Sequence, residues 1–235
     1  MRILIADDDL VSRLAMEDVL RECAPEELLT AADGLSAWAL LNGDKPIDLV
    51  CLDVRMPPPD GLQLAERIRA SVRLRRLPVM LITSTADRDT AMRAARLELQ
   101  GFVVKPVGAE TSARIRRALD ALDASILEPT ARSVARLRID EDRHRRYVGA
   151  FVVQVRALAL VGAAIEAGDG AQRALFVQKA EACRNASLTL GAERLEQVIA
   201  DALAAVEAGQ LGAAAAMRQA VYWLERVAQA RAIAV

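Results

Sequence analysis

Aromatic residues are scarce in this 235-residue chain, at 3% of the total, and there is a single histidine. Such a chain packs with aliphatic side chains, and one histidine cannot build a His-rich metal site. The three cysteines, Cys23, Cys51 and Cys183, are an odd number and far apart. They form no CxxC or Cys/His spacing, which excludes a disulfide framework or a zinc finger and points to a reducing compartment. Excess charge is also missing: the formal net charge is −1, and neither half leans strongly to one sign. Whole-chain charge therefore gives no reason to expect a nucleic-acid or membrane binder. The opening Ile3-Leu4-Ile5-Ala6 reads as a strand rather than a leader. The apolar stretch around Ala157–Val161 falls short of a membrane span by sequence count. A soluble, cytoplasmic protein is the expectation.

What the chain has is aliphatic bulk, 53% hydrophobic, and length for two domains. Residues 1–125 alternate short apolar runs with helical patterns. The expected strands are Arg2–Ala6, Leu28–Ala31, Ile47–Val54, Pro78–Ser84 and Phe102–Val104. The expected helices are Leu10–Cys23, Leu35–Asn42, Gly61–Ser71, Asp87–Gln100 and Gly108–Ala124. The strands are continuous apolar runs, the pattern of a parallel sheet covered on both faces. Right-handed crossovers then predict an α/β doubly wound five-stranded parallel sheet. Residues 126–140, with Pro129 and several charges, read as a linker. Residues 141–235 hold four helical patterns, about 141–167, 171–188, 190–208 and 210–231. Their short connections predict an all-α four-helix bundle.

The polar residues that stand out all fall at strand ends. Asp7, Asp8 and Asp9 follow the first strand, Asp53 closes the third, Thr83 the fourth, and Lys105 follows the fifth. A parallel sheet gathers these ends along one edge. Converging carboxylates repel one another and call for a hard divalent cation such as Mg²⁺. Asp8 and Asp53 would hold it, with Asp7 reaching through water. A carboxylate can attack phosphorus to give an acyl phosphate. The metal, the Lys105 ammonium and the Thr83 hydroxyl would then neutralise the phosphoryl oxygens. Asp9 reads instead as a helix cap.

The motifs Ile3-Leu4-Ile5-Ala6-Asp7-Asp8-Asp9, Leu52-Asp53-Val54-Arg55-Met56-Pro57, Asp60-Gly61, Leu81-Ile82-Thr83-Ser84 and Lys105-Pro106 resemble those of bacterial response-regulator receiver domains. The resemblance implies Asp53 as phosphoacceptor, Asp7 and Asp8 as the acidic pair, and the backbone carbonyl of Arg55 as a further Mg²⁺ ligand. It implies Thr83 and Phe102 as a switch pair and Lys105 as the phosphate-binding lysine, its bond to Pro106 often cis. Arg55 and Thr85 fall where receivers tune hydrolysis. Phe102 stands where many members have Tyr, and Pro57-Pro58-Pro59 departs from the usual loop. The implied partner is a sensor histidine kinase or phosphotransferase.

In the second half, Leu190-Gly191-Ala192-Glu193-Arg194-Leu195 resembles the end of the central motif of histidine-phosphotransfer (HPt) domains. Counting back, the position of the active His is Glu181, followed by Arg184 and Asn185 where the family has Lys and Gly. The resemblance is thus to a pseudo-HPt bundle without its chemistry. Glu181 and Arg184 become candidate partner-binding residues, for another receiver or a kinase. His144, among Arg143, Arg145 and Arg146, reads as an exposed surface residue. The Arg67, Arg69, Arg73, Arg75, Arg76 cluster reads as a solvated face rather than a DNA-binding surface. Beyond residue 126 no phosphate loop, HExxH or nucleophile elbow appears, so no separate output enzyme is expected. The alternatives are a relay with an active bundle, and a homodimer formed through Ala213–Ala216. DNA binding ranks last.

Overall fold

A computed structural model of the chain describes residues 1–43, 45–84 and 88–233. Five strands run β1 (Arg2–Ala6), β2 (Glu27–Ala31), β3 (Leu49–Asp53), β4 (Val79–Thr83) and β5 (Gly101–Val104). All neighbours pair in parallel, in the order β2-β1-β3-β4-β5. β1, β3 and β4 are buried at every position, which is why their sequences are unbroken apolar runs. The helices between them are α1 (Leu10–Arg21), α2 (Gly34–Leu41), α3 (Gly61–Ala70), α4 (Arg88–Arg96) and α5 (Ala109–Ile126). α2, α3 and α4 contact one another in turn. Elsewhere the Arg116 guanidinium donates to the carbonyl of Glu22, joining α5 to the end of α1.

Caps set the helix starts beside the strand ends. Asp9, Asp33 and Asp60 each accept the backbone N–H three residues on, and Gln63 completes a capping box with Asp60. The expected helix over Asp87–Gln100 ends sooner, at Arg96, and Asp87 lies outside the described residues. Glu98 takes a left-handed φ of 49°, which stops the helix. The Arg69 guanidinium then takes the carbonyls of Leu97, Arg75 and Leu77. The arginine cluster is therefore not simply a solvated face. Arg69 is half-buried and binds loop ends together, burial pulling its pKa down. Arg73 donates to the carbonyls of Asn42 and Gly43, and Arg67 stacks on Trp38 at 4.0 Å.

Contacts divide the chain into Met1–Asp120 and Ala121–Val235, within α5. The second unit holds α6 (Thr130–Leu137), α7 (Glu141–Glu166), a short 3-10 helix (Gly170–Gln172), α8 (Arg173–Leu190), α9 (Glu193–Glu207) and α10 (Ala213–Ala230). α7 packs on α8 and α10, and α9 on α8 and α10, the neighbour pattern of an antiparallel four-helix bundle. Its core includes Phe151, Val155, Leu158, Phe176, Ile199, Met217 and Trp223. α8 ends on Gly191 in the left-handed conformation, φ 62°, where a Cβ would sit 2.7 Å from that of Glu128.

Residues 121–140 take part in this second unit. Buried Glu128 accepts from Ser133 and Arg136, at 3.0 and 2.6 Å. Arg136 also reaches the carbonyl of Thr189 at the end of α8. Arg231 donates to the carbonyls of Leu127 and Glu128, and Arg226 pairs with Asp123 at 2.6 Å.

Two expectations about the second unit need correction. His144 is fully buried, 0% exposed. It lies one turn before Val148 on the inward stripe of α7, so the arginines beside it face outward while it faces the core. Ala213, Ala214 and Ala216 are buried within their own bundle and offer no outward seam for a second chain. By length and composition α7 would also suit a membrane span.

Candidate functional site

The C-terminal edge of the sheet gathers the polar residues singled out above. Asp7 and Asp8 follow β1, Asp53 ends β3, Thr83 ends β4 and Lys105 follows β5. β1 and β3 are neighbours although β2 lies between them in sequence, so the edge holds the switch point where such sheets bind ligands. Carboxylate oxygens of Asp7, Asp8 and Asp53 come within 4.8 Å of one another. Asp7 and Asp53 are buried, Asp8 exposed.

Lys105 holds this cluster together. Its Nζ lies 2.7 Å from Asp53 Oδ1 and 2.9 Å from Asp7 Oδ2. One ammonium thus faces two buried carboxylates, with the Asp8 carboxylate beside them. Burial pushes the Asp7 carboxyl above its ordinary range; Lys105 opposes the shift and the neighbouring Asp53 adds to it. For Lys105, burial alone would lower the pKa, but bonds to Asp53 and Asp7 outweigh it and hold the ammonium above its usual value. The other Asp53 oxygen, Oδ2, accepts from the backbone N–H of Arg55 at 2.7 Å. Asp9 donates its N–H to Asp7 Oδ1, and its own carboxylate caps α1, as expected. Hydrogen bonds from the Ser12 hydroxyl and then the Ser12 N–H lower the Asp9 pKa.

Donor chemistry supports a hard cation. All candidate side-chain ligands are carboxylate oxygens, two of the carboxylates are buried, and one lysine ammonium balances only part of their charge. This set fits Mg²⁺ rather than a metal that prefers nitrogen or sulfur. Thr83 is buried at 1% exposure, and its carbonyl accepts from the Lys105 N–H at 2.9 Å. Phe102 lies on β5 opposite Leu81 and is half-buried. The Lys105–Pro106 bond is cis. Thr85 lies outside the described residues.

Gly61 supports the site in a way that the motif alone did not explain. A Cβ there would lie 2.1 Å from the carbonyl oxygen of Asp53, so only glycine lets α3 begin against the acceptor strand. Gly34 plays the same part for the proline loop, where a Cβ would meet the Pro59 carbonyl at 2.0 Å. The triple proline is thus seated on the start of α2.

This geometry agrees with comparisons to known proteins. The family described as "Response regulator receiver domain" matches residues 3–117. Chemotaxis protein CheY-3 of Vibrio cholerae serotype O1 is 37% identical over 121 residues, covering 51% of this chain and 89% of its own length. The chain belongs to the response-regulator family. Chemotaxis protein CheY of Pseudomonas aeruginosa is 36% identical over 110 residues, 47% of this response regulator and 88% of that protein. A solved structure of a response regulator from Chloroflexus aurantiacus is 28% identical, with a TM-score of 0.47, and covers 51% of this chain and 97% of that one. The family match ends at residue 117, and the helical region follows it.

The other candidate residues belong to the helical unit. Glu181 is exposed on α8. Arg184, one turn on, is tied to Glu196 of α9 at 2.7 Å.

Proposed function

We propose that this response regulator accepts a phosphoryl group on Asp53 from a histidine kinase or phosphotransferase, and that its helical region is a protein-binding output. The observation that carries the reading is the Lys105 ammonium bridging Asp53 and Asp7 amid three converging carboxylates. The Asp53 carboxylate attacks phosphorus in line. The acyl P–O bond forms as the P–N bond to the donor imidazole breaks, and the leaving nitrogen takes up a proton. Lys105 turns from Asp53 to the phosphoryl oxygens, and the Thr83 hydroxyl donates to another. Thr83 and the Phe102 ring then shift together as the switch. Bound by Asp8, Asp53 and the Arg55 carbonyl, with Asp7 through water, Mg²⁺ would offset carboxylate repulsion and phosphoryl charge. Exposed Leu10, Val11 and Leu14 on α1 offer the donor an apolar docking patch.

The helical region fits a pseudo-HPt output better than a relay. The chain's one histidine is enclosed in the core, where no phosphoryl donor reaches it, and the motif position holds Glu181. We read Glu181 and Arg184 as a docking face for a receiver or kinase. Reversing both charges should weaken capture of the cognate partner, and unchanged capture would remove this face from the account. The protein is read as soluble and cytoplasmic, with no separate output enzyme and no nucleic-acid or membrane partner.

Intact mass after incubation with Mg²⁺ and a small phosphoryl donor tests the acceptor. The wild type should gain one phosphoryl group, and neither Asp53→Asn nor a chelator-treated sample should gain any. Undiminished uptake by Asp53→Asn would refute the assignment.

A further inference from the structure

The outward face of α7 is apolar at a coiled-coil spacing. Gly149, Val153, Arg156, Leu160 and Ala163 follow one another at alternating steps of four and three, the repeat that keeps a seam on one side of a helix. Val153 is 62% exposed and Leu160 73%. The opposite face, with Val148, Phe151, Val152, Val155 and Leu158, is core. Around Arg156, α7 thus carries large apolar side chains on its outward side as well, where its bundle leaves them uncovered. A helix apolar all round ordinarily has neighbours all round. Beside the seam, α7 and α10 form a groove of about 340 Å³ lined by Arg156, Ala159, Leu160, Ala163, Arg218 and Val221. Glu225 of α10 matches Arg156 at 2.6 Å, so the charge in mid-seam is already balanced.

Charge at the ends of the seam selects the occupant. Arg146 lies one step before Gly149, at the N-terminal end, and is exposed. The C-terminal end carries exposed Asp169 and the negative pole of the helix, together with Glu166, whose Oε1 accepts from the Gly212 and Ala214 N–H groups. Glu141 and Asp142 at the N-terminal end pair with Arg145, so a second α7 laid antiparallel brings each Arg146 to the other's acidic end, whereas a parallel one sets Arg146 beside Arg146. We propose that this face pairs with the same face of a second copy of the chain, antiparallel about a two-fold axis near Ala157. Each Val153 then packs against the partner subunit's Leu160 and enters the groove beside it. Gly149 and Ala163 let the helices approach closely.

Sedimentation equilibrium of the full chain tests this without any phosphoryl donor, so the outcome is independent of the Asp53 assignment. The wild type should dimerise. Leu160→Asp should raise the dimer dissociation constant at least about tenfold by setting a charge in the seam. At a concentration where both chains are monomeric its melting temperature should match the wild type's, because Leu160 is exposed in the single chain. Arg146→Glu and Asp169→Arg should each weaken the dimer. Both changes in one chain should restore it, because in a two-fold contact each end meets the other. A chain that is monomeric at about 100 µM would overturn the proposal, in favour of a membrane surface if it floats with phospholipid vesicles and of a different protein if it does not. Association unaffected by Leu160→Asp, or a double variant no tighter than the single ones, would overturn it too.

Discussion

The two halves of this protein use their buried charges in opposite ways. In the first, the buried carboxylates of Asp7 and Asp53 converge on the single ammonium of Lys105, with the exposed Asp8 carboxylate beside them. In the second, Glu128 is surrounded by Ser133, Arg132 and Arg136. These contacts leave it ionised and spent, and the hydrogen bond from Arg136 is the main cause of its lowered pKa. Like charges gathered around one counter-charge suit a cation, while a carboxylate surrounded by guanidinium groups holds helices together.

Three substitutions probe that contrast. The largest effect should come from Lys105→Ala. Without the ammonium the phosphoryl oxygens lose a charged donor, and phosphoryl uptake should slow by about a hundredfold with the fold retained. A single-turnover time course by intact mass reads this, and an unchanged rate would make Lys105 merely structural. Gly61→Ala should come next. Its methyl group would strike the Asp53 carbonyl, and the receiver should lose about 2 kcal/mol in urea unfolding. A variant as stable as the wild type would mean that the contact relaxes freely.

The smallest effect should come from His144→Leu in the bundle. Burial lowers the pKa of His144; nearby Arg231 acts the same way, and Glu128 and Glu141 oppose it. A histidine held neutral in the fold takes up protons more readily when unfolded. Its stabilising contribution is thus complete above the ordinary value of 6.5 and fades as pH falls below it. Melting of the wild type should weaken from neutral pH down towards pH 5.5, before the carboxylates titrate, and the leucine variant should show a flatter profile. Parallel profiles would contradict the burial argument.

Legibility in the sequence also differed between the halves. Asp7, Asp8, Asp53, Thr83 and Lys105 could be read because each sits at the end of an apolar run, and parallel pairing brings such ends to one edge. The part Gly61 plays could not be read so far, since a forbidden Cβ shows only against the folded neighbour. In the bundle, helix existence was plain and side-chain direction was not. His144 was misjudged from its basic neighbours, although the step of four to Val148, then three and four to Phe151 and Val155, already traced the inward stripe. Arg69 was misjudged for a related reason. Its partners are loop carbonyls, which carry no side-chain signal. The clamp on Glu128 draws on residues up to about a hundred positions away, beyond any local pattern.

The central claim is that phosphoryl chemistry belongs to the first half alone. Mapping every phosphorylated peptide after incubation with Mg²⁺ and a small phosphoryl donor, before and after a mild alkaline chase, tests it most directly. The account predicts one labelled segment, containing Asp53, whose label is lost in base as an acyl phosphate. A base-stable label on the helical region would be a phosphoramidate, and would contradict the account in favour of a relay.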